Sequence, residues 1–303
     1  MNKKEVLEIR KQFTPDNCAI TRICGCYVDH EKNIIFESKD AFLSLPEEEE
    51  FKYFEIFRHT LSGTLGKNLV GMEFPMEQEK AGGTQEFLLK LRDTGLEDDA
   101  LVQEFYKKII ENYDYGENYY IILIHSVYDI PGKSAAGDEM FDASDEVYAH
   151  IMCSICPVKM SKAGLSYNAT TNSIADRVRD WTVEQPANGF LFPAFNDRSS
   201  DIHSVLTYAK NPEIEQPGLI ETVLGSVMPL TPATQKETFQ SILEETLEDD
   251  GNYEIVKSVY ENLNEMIEES KDNPEPLTLS KTEVKKLLEN SGVPEKNMQA
   301  FEQ

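Results

Sequence analysis

Apolar residues recur along this chain with two periods, and the period switches repeatedly before residue 230. Residues 3–12 carry a charged, helix-patterned stretch that the Thr14-Pro15-Asp16-Asn17 cluster stops. Residues 19–28 read as a strand, and 33–36 as its hairpin partner. A helix follows, with Ser44 and Glu47 expected to form a capping box. Phe51, Phe54, Phe57 and Leu61 lie at helical spacing, and Gly63 acts as the stop. Helical stripes recur at 84–92 and 97–113, the second through Leu101, Phe105, Ile109 and Tyr113. Residues 119–128 and 147–158 are nearly unbroken apolar runs rich in β-branched and aromatic side chains. Such runs suit strands covered on both faces and therefore central in a sheet. Weaker strand signals lie at 164–167, 189–194 and 203–208.

Strands and helices interleave without a regular βαβ beat, which predicts an α+β fold with a largely antiparallel or mixed sheet covered by helices. The pattern changes near residue 230, where four short helical stripes begin. We therefore expect an α+β domain over 1–228 and an acidic helical segment over 229–303, packed on it, its last helix cut off at Gln303.

Charge narrows the partners. There are 55 acidic against 29 basic residues, a formal net charge of -26. Phosphate backbones are bound by Lys and Arg that release counterions, so neither nucleic acid nor an anionic membrane is an expected partner. No run of 18 apolar residues and no signal-peptide core is present. Five cysteines, an odd number in a chain that needs no staples, point to a reducing, cytoplasmic setting. The Asn168-Ala169-Thr170 sequon is then without consequence.

Few residues offer chemistry. In the segment 196–203, Asp197, Arg198, Asp201 and His203 could supply a general base, its orienting partner and an anion clamp; the plainer reading is a loop in which Asn196 and Asp197 form Asx turns and Arg198 ties strands together. His125 and Asp129 share one face of their strand, so the carboxylate could orient the imidazole. Cys24, Cys26, Cys153 and Cys156 give the thiol count of a structural zinc site. Strand alternation, however, sends Cys153 and Cys156 to opposite faces while Cys24 and Cys26 share one. No cofactor is expected, zinc being the one candidate. Residues 62–68 lack the spacing of a phosphate loop. Trp181, the only tryptophan, sits among Arg177, Arg179 and Asp180, and reads either as a surface contact or as a half-buried core residue.

The segments 12–15, 23–27, 41–46, 53–57, 153–158 and 190–198 together resemble an uncharacterised bacterial family of domains of unknown function, numbered 4317, from anaerobic Gram-positive bacteria. The resemblance spans nearly the whole chain. It implies no activity, cofactor or catalytic residue, and it implies that the natural protein continues past Gln303. The expected function is a cytosolic binding or protein-interaction protein, its partner another protein or a small anionic ligand. A hydrolase-like enzyme using the 196–203 loop and a zinc-stabilised structural protein are the alternatives.

Overall fold

The computed structural model describes residues 1–133, 139–140 and 146–228, together with isolated positions between 258 and 291. The chain divides into two units, Met1–Pro229 and Leu230–Gln303.

The first unit is built on an eight-stranded sheet. Its main strands are β1 (Ile20–Val28), β2 (Ile34–Ala41), β3 (Leu69–Glu73), β4 (Tyr119–Ile130), β7 (Glu146–Met160), β11 (Asn188–Phe192) and β14 (Ser204–Ala209). They run in the order β2-β1-β4-β7-β11-β14-β3, and β10 (Trp181–Val183) joins the end of β7. Every pair within this sheet is antiparallel. Short two-stranded ribbons lie outside it: β5 (Gly132–Lys133) with β6 (Glu139–Met140), β8 (Leu165–Asn168) with β9 (Ser173–Asp176), and β12 (Ala194–Asn196) with β13 (Ser199–Asp201).

The near-continuous apolar runs are explained by two cores, one on each face. Along β4, Ile121 and Leu123 point to one core while Ile122 and Ile124 point to the other. The first core is closed by α4 (Thr84–Asp93), α5 (Asp99–Asn112) and a π-helical turn at Gly218–Leu224. These bring in Leu88, Leu91, Phe105, Ile109 and Leu219. The second core is closed by α1 (Lys3–Arg10) and α2 (Glu47–Thr60), through Val6, Ile9, Phe54 and Phe57. Each fully buried phenylalanine contributes roughly 1.5–3 kcal/mol, so this double cover holds the α+β sandwich together. A four-residue helix, α3 (Met76–Glu79), links β3 to α4.

Local rules set the element ends. Asn2 and Glu5 form a reciprocal capping box that starts α1, and Asp98 accepts from the amides of Ala100 and Leu101 to start α5. The capping box expected at Ser44 and Glu47 does not form. Residues 42–44 fold as a 3₁₀ turn instead, and the Ser44 hydroxyl donates to the Ala41 carbonyl. Pro46 then holds the N-cap position of α2 without a side-chain cap. Gly189 of β11 lets α2 approach the sheet, because a Cβ there would fall 2.5 Å from the Cys153 carbonyl and 2.6 Å from the Thr60 methyl. At that contact the hydroxyls of Thr60 and Ser154 bond at 2.7 Å, both fully buried.

Of the second unit, Ser258, Val259, Asn262 and Met266 are helical, as are Lys286, Leu287, Glu289 and Asn290. Asn262 Nδ2 donates to Ser291 Oγ at 2.9 Å, which donates in turn to the Leu287 carbonyl. The other residues of the helices expected in 229–303 lie outside the described ones.

Candidate functional site

The loop with the richest chemistry is a tight hairpin between β12 and β13. Asp197 and Arg198 both sit at positive φ, 51° and 57°, between the paired residues Asn196 and Ser199. Two left-handed residues in a row are the signature of a type I′ turn, which joins strands without disturbing their twist. Arg198 turns inward. Its Nε lies 3.1 and 3.2 Å from the two carboxylate oxygens of Glu8, its NH2 group donates to the same carboxylate at 2.9 Å, and to the Pro131 carbonyl at 3.1 Å. Asn196 accepts from the amino terminus of Met1 and donates to Asp201 at 2.6 Å.

These bonds distribute the expected catalytic group among separate partners. The Asp201 carboxylate accepts from the backbone amide of His203 at 3.1 Å, not from its ring. The His203 ring instead pairs with Glu79 at 2.8 Å, on an exposed surface. Asp197 is exposed at the turn. The four residues share a loop but do not converge on one point, and the guanidinium expected to clamp an anion already holds one of the chain's own carboxylates. The loop fastens the N-terminal helix to the sheet.

His125 and Asp129 are on one face as expected, but four residues of strand separate them by about 13 Å. The His125 ring is engaged by the Thr21 hydroxyl at 2.6 Å. Burial, then the charges of Arg92 and Arg22, lower its pKa. It closes a seam between β1 and β4 rather than forming a dyad with Asp129.

The cysteines follow the strand alternation. Cys24, Cys26 and Cys153 belong to the first core and Cys156 to the second. Leu123 is the register partner of both Cys24 and Cys153, so a whole strand lies between those two. Zinc–sulfur bonds of about 2.3 Å cannot span two strand spacings of about 4.8 Å each, still less reach through the sheet. Burial pushes the Cys24 thiol up to about 11 and Cys26 to about 12, and raises Cys153 and Cys156 further. These are apolar-packed thiols, and no metal-ligating cluster is found among the described residues.

The region whose surface asks for a partner is elsewhere. From residue 159 to 183 no side chain is buried. The segment leaves the end of β7, runs out along β8, turns, and returns through β9 to β10. Between the β7–β10 pairing and the β8–β9 ribbon the ladder is interrupted at 161–164 and 177–180, where two bonds bridge the strands: the Ser161 amide donates to the Asp180 carbonyl and the Arg177 amide to the Gly164 carbonyl, both at 2.8 Å. At the tip, the Asn168 side chain accepts from the amides of Thr170 and Thr171. We call this hairpin the arm. An isolated two-stranded hairpin is marginal in water unless something covers one face. Yet Leu165 is 77% exposed, Val178 78% and Trp181 52%, with Tyr167, Ile174 and Val183 also exposed. The arm carries Lys159, Lys162, Arg177 and Arg179 against Asp176 and Asp180 only, so it is locally basic on a strongly acidic chain.

A cleft of about 450 Å³ opens at the arm's base, between Trp181, Met160 and Lys159 on one side and His30, Glu117 and Asn118 on the other. Asn118 ties the β1–β2 turn to this cleft. Its amide donates to the Tyr27 hydroxyl at 2.7 Å, and its carbonyl accepts from the His30 backbone at 3.0 Å. Sequence reasoning registered only a weak strand at 164–167 and the lone tryptophan. The available signal was the spacing of Leu165, Tyr167, Ile174 and Val178, each isolated among polar residues, together with the local excess of cations.

A largely antiparallel sheet covered by helices on both faces, with an uncovered hairpin leaving one strand, defines an α+β protein. Over residues 1–303 the chain matches the family described as Domain of unknown function (DUF4317), and it belongs to that family. No curated protein matches it significantly. No helix among the described residues is long and apolar enough to cross a membrane.

Proposed function

We propose that this is a cytoplasmic protein-interaction protein whose docking element is the arm at 159–183. The observation that carries the reading is the unbroken run of uncovered residues with large apolar side chains at its centre. Contiguous exposed apolar surface rimmed by polar groups is characteristic of interaction sites. Tryptophan, tyrosine and arginine, the residues that dominate interface energetics, are all present on it. The net charge of -26 supports a protein rather than a nucleic acid or an anionic membrane as partner. All five cysteines are free, which supports a reducing compartment.

The test is a photo-crosslinking residue placed at Tyr167 in the full chain and irradiated in cells. A discrete adduct, lost when the same probe replaces exposed Glu55 of α2, is the expected outcome. Equal, diffuse labelling from both positions would remove the reading.

The cleft beside Trp181 supports a second reading, a small anionic ligand with a planar apolar body. The Lys159 ammonium would face its charge and the indole its plane. Titration with aryl carboxylates, followed by tryptophan fluorescence, tests it; no saturable change would exclude it.

A further inference from the structure

Resting on the reading of the arm as a docking element, we infer that its partner is a second copy of this chain, each arm lying along the open edge of β2 in the other. Two exposed features that are liabilities in a lone molecule are complementary. The first is the outer part of the arm, the β8–β9 ribbon, which has no third strand among the described residues. The second is β2, the outermost strand beside β1, whose other edge has no strand partner among the described residues.

Edge strands are normally blunted by charge, proline or brevity, because free N–H and C=O groups template further pairing. The opening run of β2, Ile34 to Phe36, carries neither charge nor proline; a bulge at Ile35 and the charged Glu37 that follows confine the apolar edge to these three residues. Ile34, Ile35 and Phe36 stand 43%, 57% and 57% exposed in succession. An incoming strand would satisfy the free backbone groups of the edge and cover those three side chains, the mode known as β-augmentation.

Size and charge agree with this occupant. The arm's 25 residues, 159–183, match the roughly 20–30 residues per side of a standard stable interface. Reciprocal docking doubles the buried surface and closes under two-fold symmetry, so assembly stops at two. The arm is basic, and the remainder of the chain supplies the acidic surface it would meet. At physiological salt the Debye length is about 8 Å. Repulsion between two acidic bodies is then screened, while close pairing of Arg177 and Arg179 with carboxylates survives.

The experiment is sedimentation velocity of the full chain across micromolar concentrations. It compares the wild type, an arm variant (Ile174→Ser with Trp181→Ser) and an edge variant (Ile35→Lys with Phe36→Ser). The wild type is expected to dimerise, and each variant to lose affinity by about 30-fold or more, the loss typical of an interface hot spot. Mixing the two variants is expected to restore a weaker dimer, because one intact arm still meets one intact edge. A second arm variant, Arg177→Glu with Arg179→Glu, leaves the apolar residues in place and provides a check if the first misfolds by circular dichroism. Three results would overturn the inference: a wild type monomeric throughout, a dimer indifferent to both arm variants, or no recovery on mixing. A monomeric wild type whose Tyr167 probe still captures one other protein overturns the second copy and leaves the arm's docking role standing.

Discussion

Arg198 grips Glu8 across 190 residues of sequence, and this pair converts what looks like a reactive loop into a fastening. Both side chains are about four-fifths buried, and the guanidinium uses two of its donor positions on one carboxylate, the strong geometry for such a pair. Replacing Arg198 by alanine is expected to lower stability by about 1.5–3 kcal/mol, the range for hydrogen bonds to charged groups. Arg198→Lys recovers little of it, because an ammonium cannot reproduce the fork. Urea midpoints of the two variants and the wild type check this; equal midpoints would mean the pair holds nothing.

Gly189 makes a sharper demand. Gly189→Ala forces a methyl group toward the Cys153 carbonyl, a backbone atom with little freedom to move, and toward Thr60. We expect a loss of about 1–3 kcal/mol, as for overpacking a filled core. By contrast, Gly116→Ala meets nothing within 4 Å and is expected to be neutral. Thermal melts of the two variants side by side separate steric cost from general sensitivity to substitution.

His150 gives the fold a defined pH response. It is fully buried and stacked on Tyr148 with ring centroids 4.5 Å apart, and neither ring nitrogen has a hydrogen-bond partner among the described residues. Desolvation lowers its pKa from an ordinary 6.5 to about 3. Below pH 6.5 the unfolded chain takes up a proton that the native state refuses. Stability from this group is therefore complete above pH 6.5 and is lost as pH falls toward 3. His150→Phe keeps the stacked ring and removes the titration. Its urea midpoint is expected to decline less than that of the wild type between pH 6.5 and 4; parallel declines would contradict the account.

The thiols provide an independent check on the sheet. Cys24, Cys26, Cys153 and Cys156 are fully buried, while Cys18 is half-buried. Burial raises the Cys18 thiol as well. Native protein is expected to react slowly with a thiol reagent at one position, and at five in denaturant. Chelator should leave both counts and the melting temperature unchanged. Rapid titration of several native thiols, or a chelator-induced loss of stability, would show the sheet cysteines in another arrangement.

What the sequence disclosed follows from how local each signal is. The runs at 119–128 and 147–158 report two covered faces because every residue must be apolar when both sides are packed, and β4 and β7 are indeed neighbours at the centre. The face assignment of the cysteines followed from strand alternation alone. Strand β3 stayed hidden because Leu69–Glu73 is short, contains Gly71, and takes its place by pairing with β14, more than 130 residues away. The π-helical turn at Gly218–Leu224 has no distinctive period over so few residues. The 196–203 loop misled for a different reason. Residue types can show that a base, an acid and a cation are near in sequence, but Arg198 chose Glu8 and His203 chose Glu79. Those choices depend on tertiary approach that spacing does not encode.

Trp181 permits the most direct test, because as the only tryptophan it makes intrinsic fluorescence a report on the base of the arm alone. An indole half in water is expected to emit at long wavelength and to be quenched readily by acrylamide in dilute protein. As the docked complex forms with rising concentration, emission should shift to the blue and quenching should fall. Blue-shifted, protected emission already present in the dilute monomer would contradict the claim that the arm is uncovered. Emission that stays unchanged through complex formation would contradict the claim that the arm is what docks.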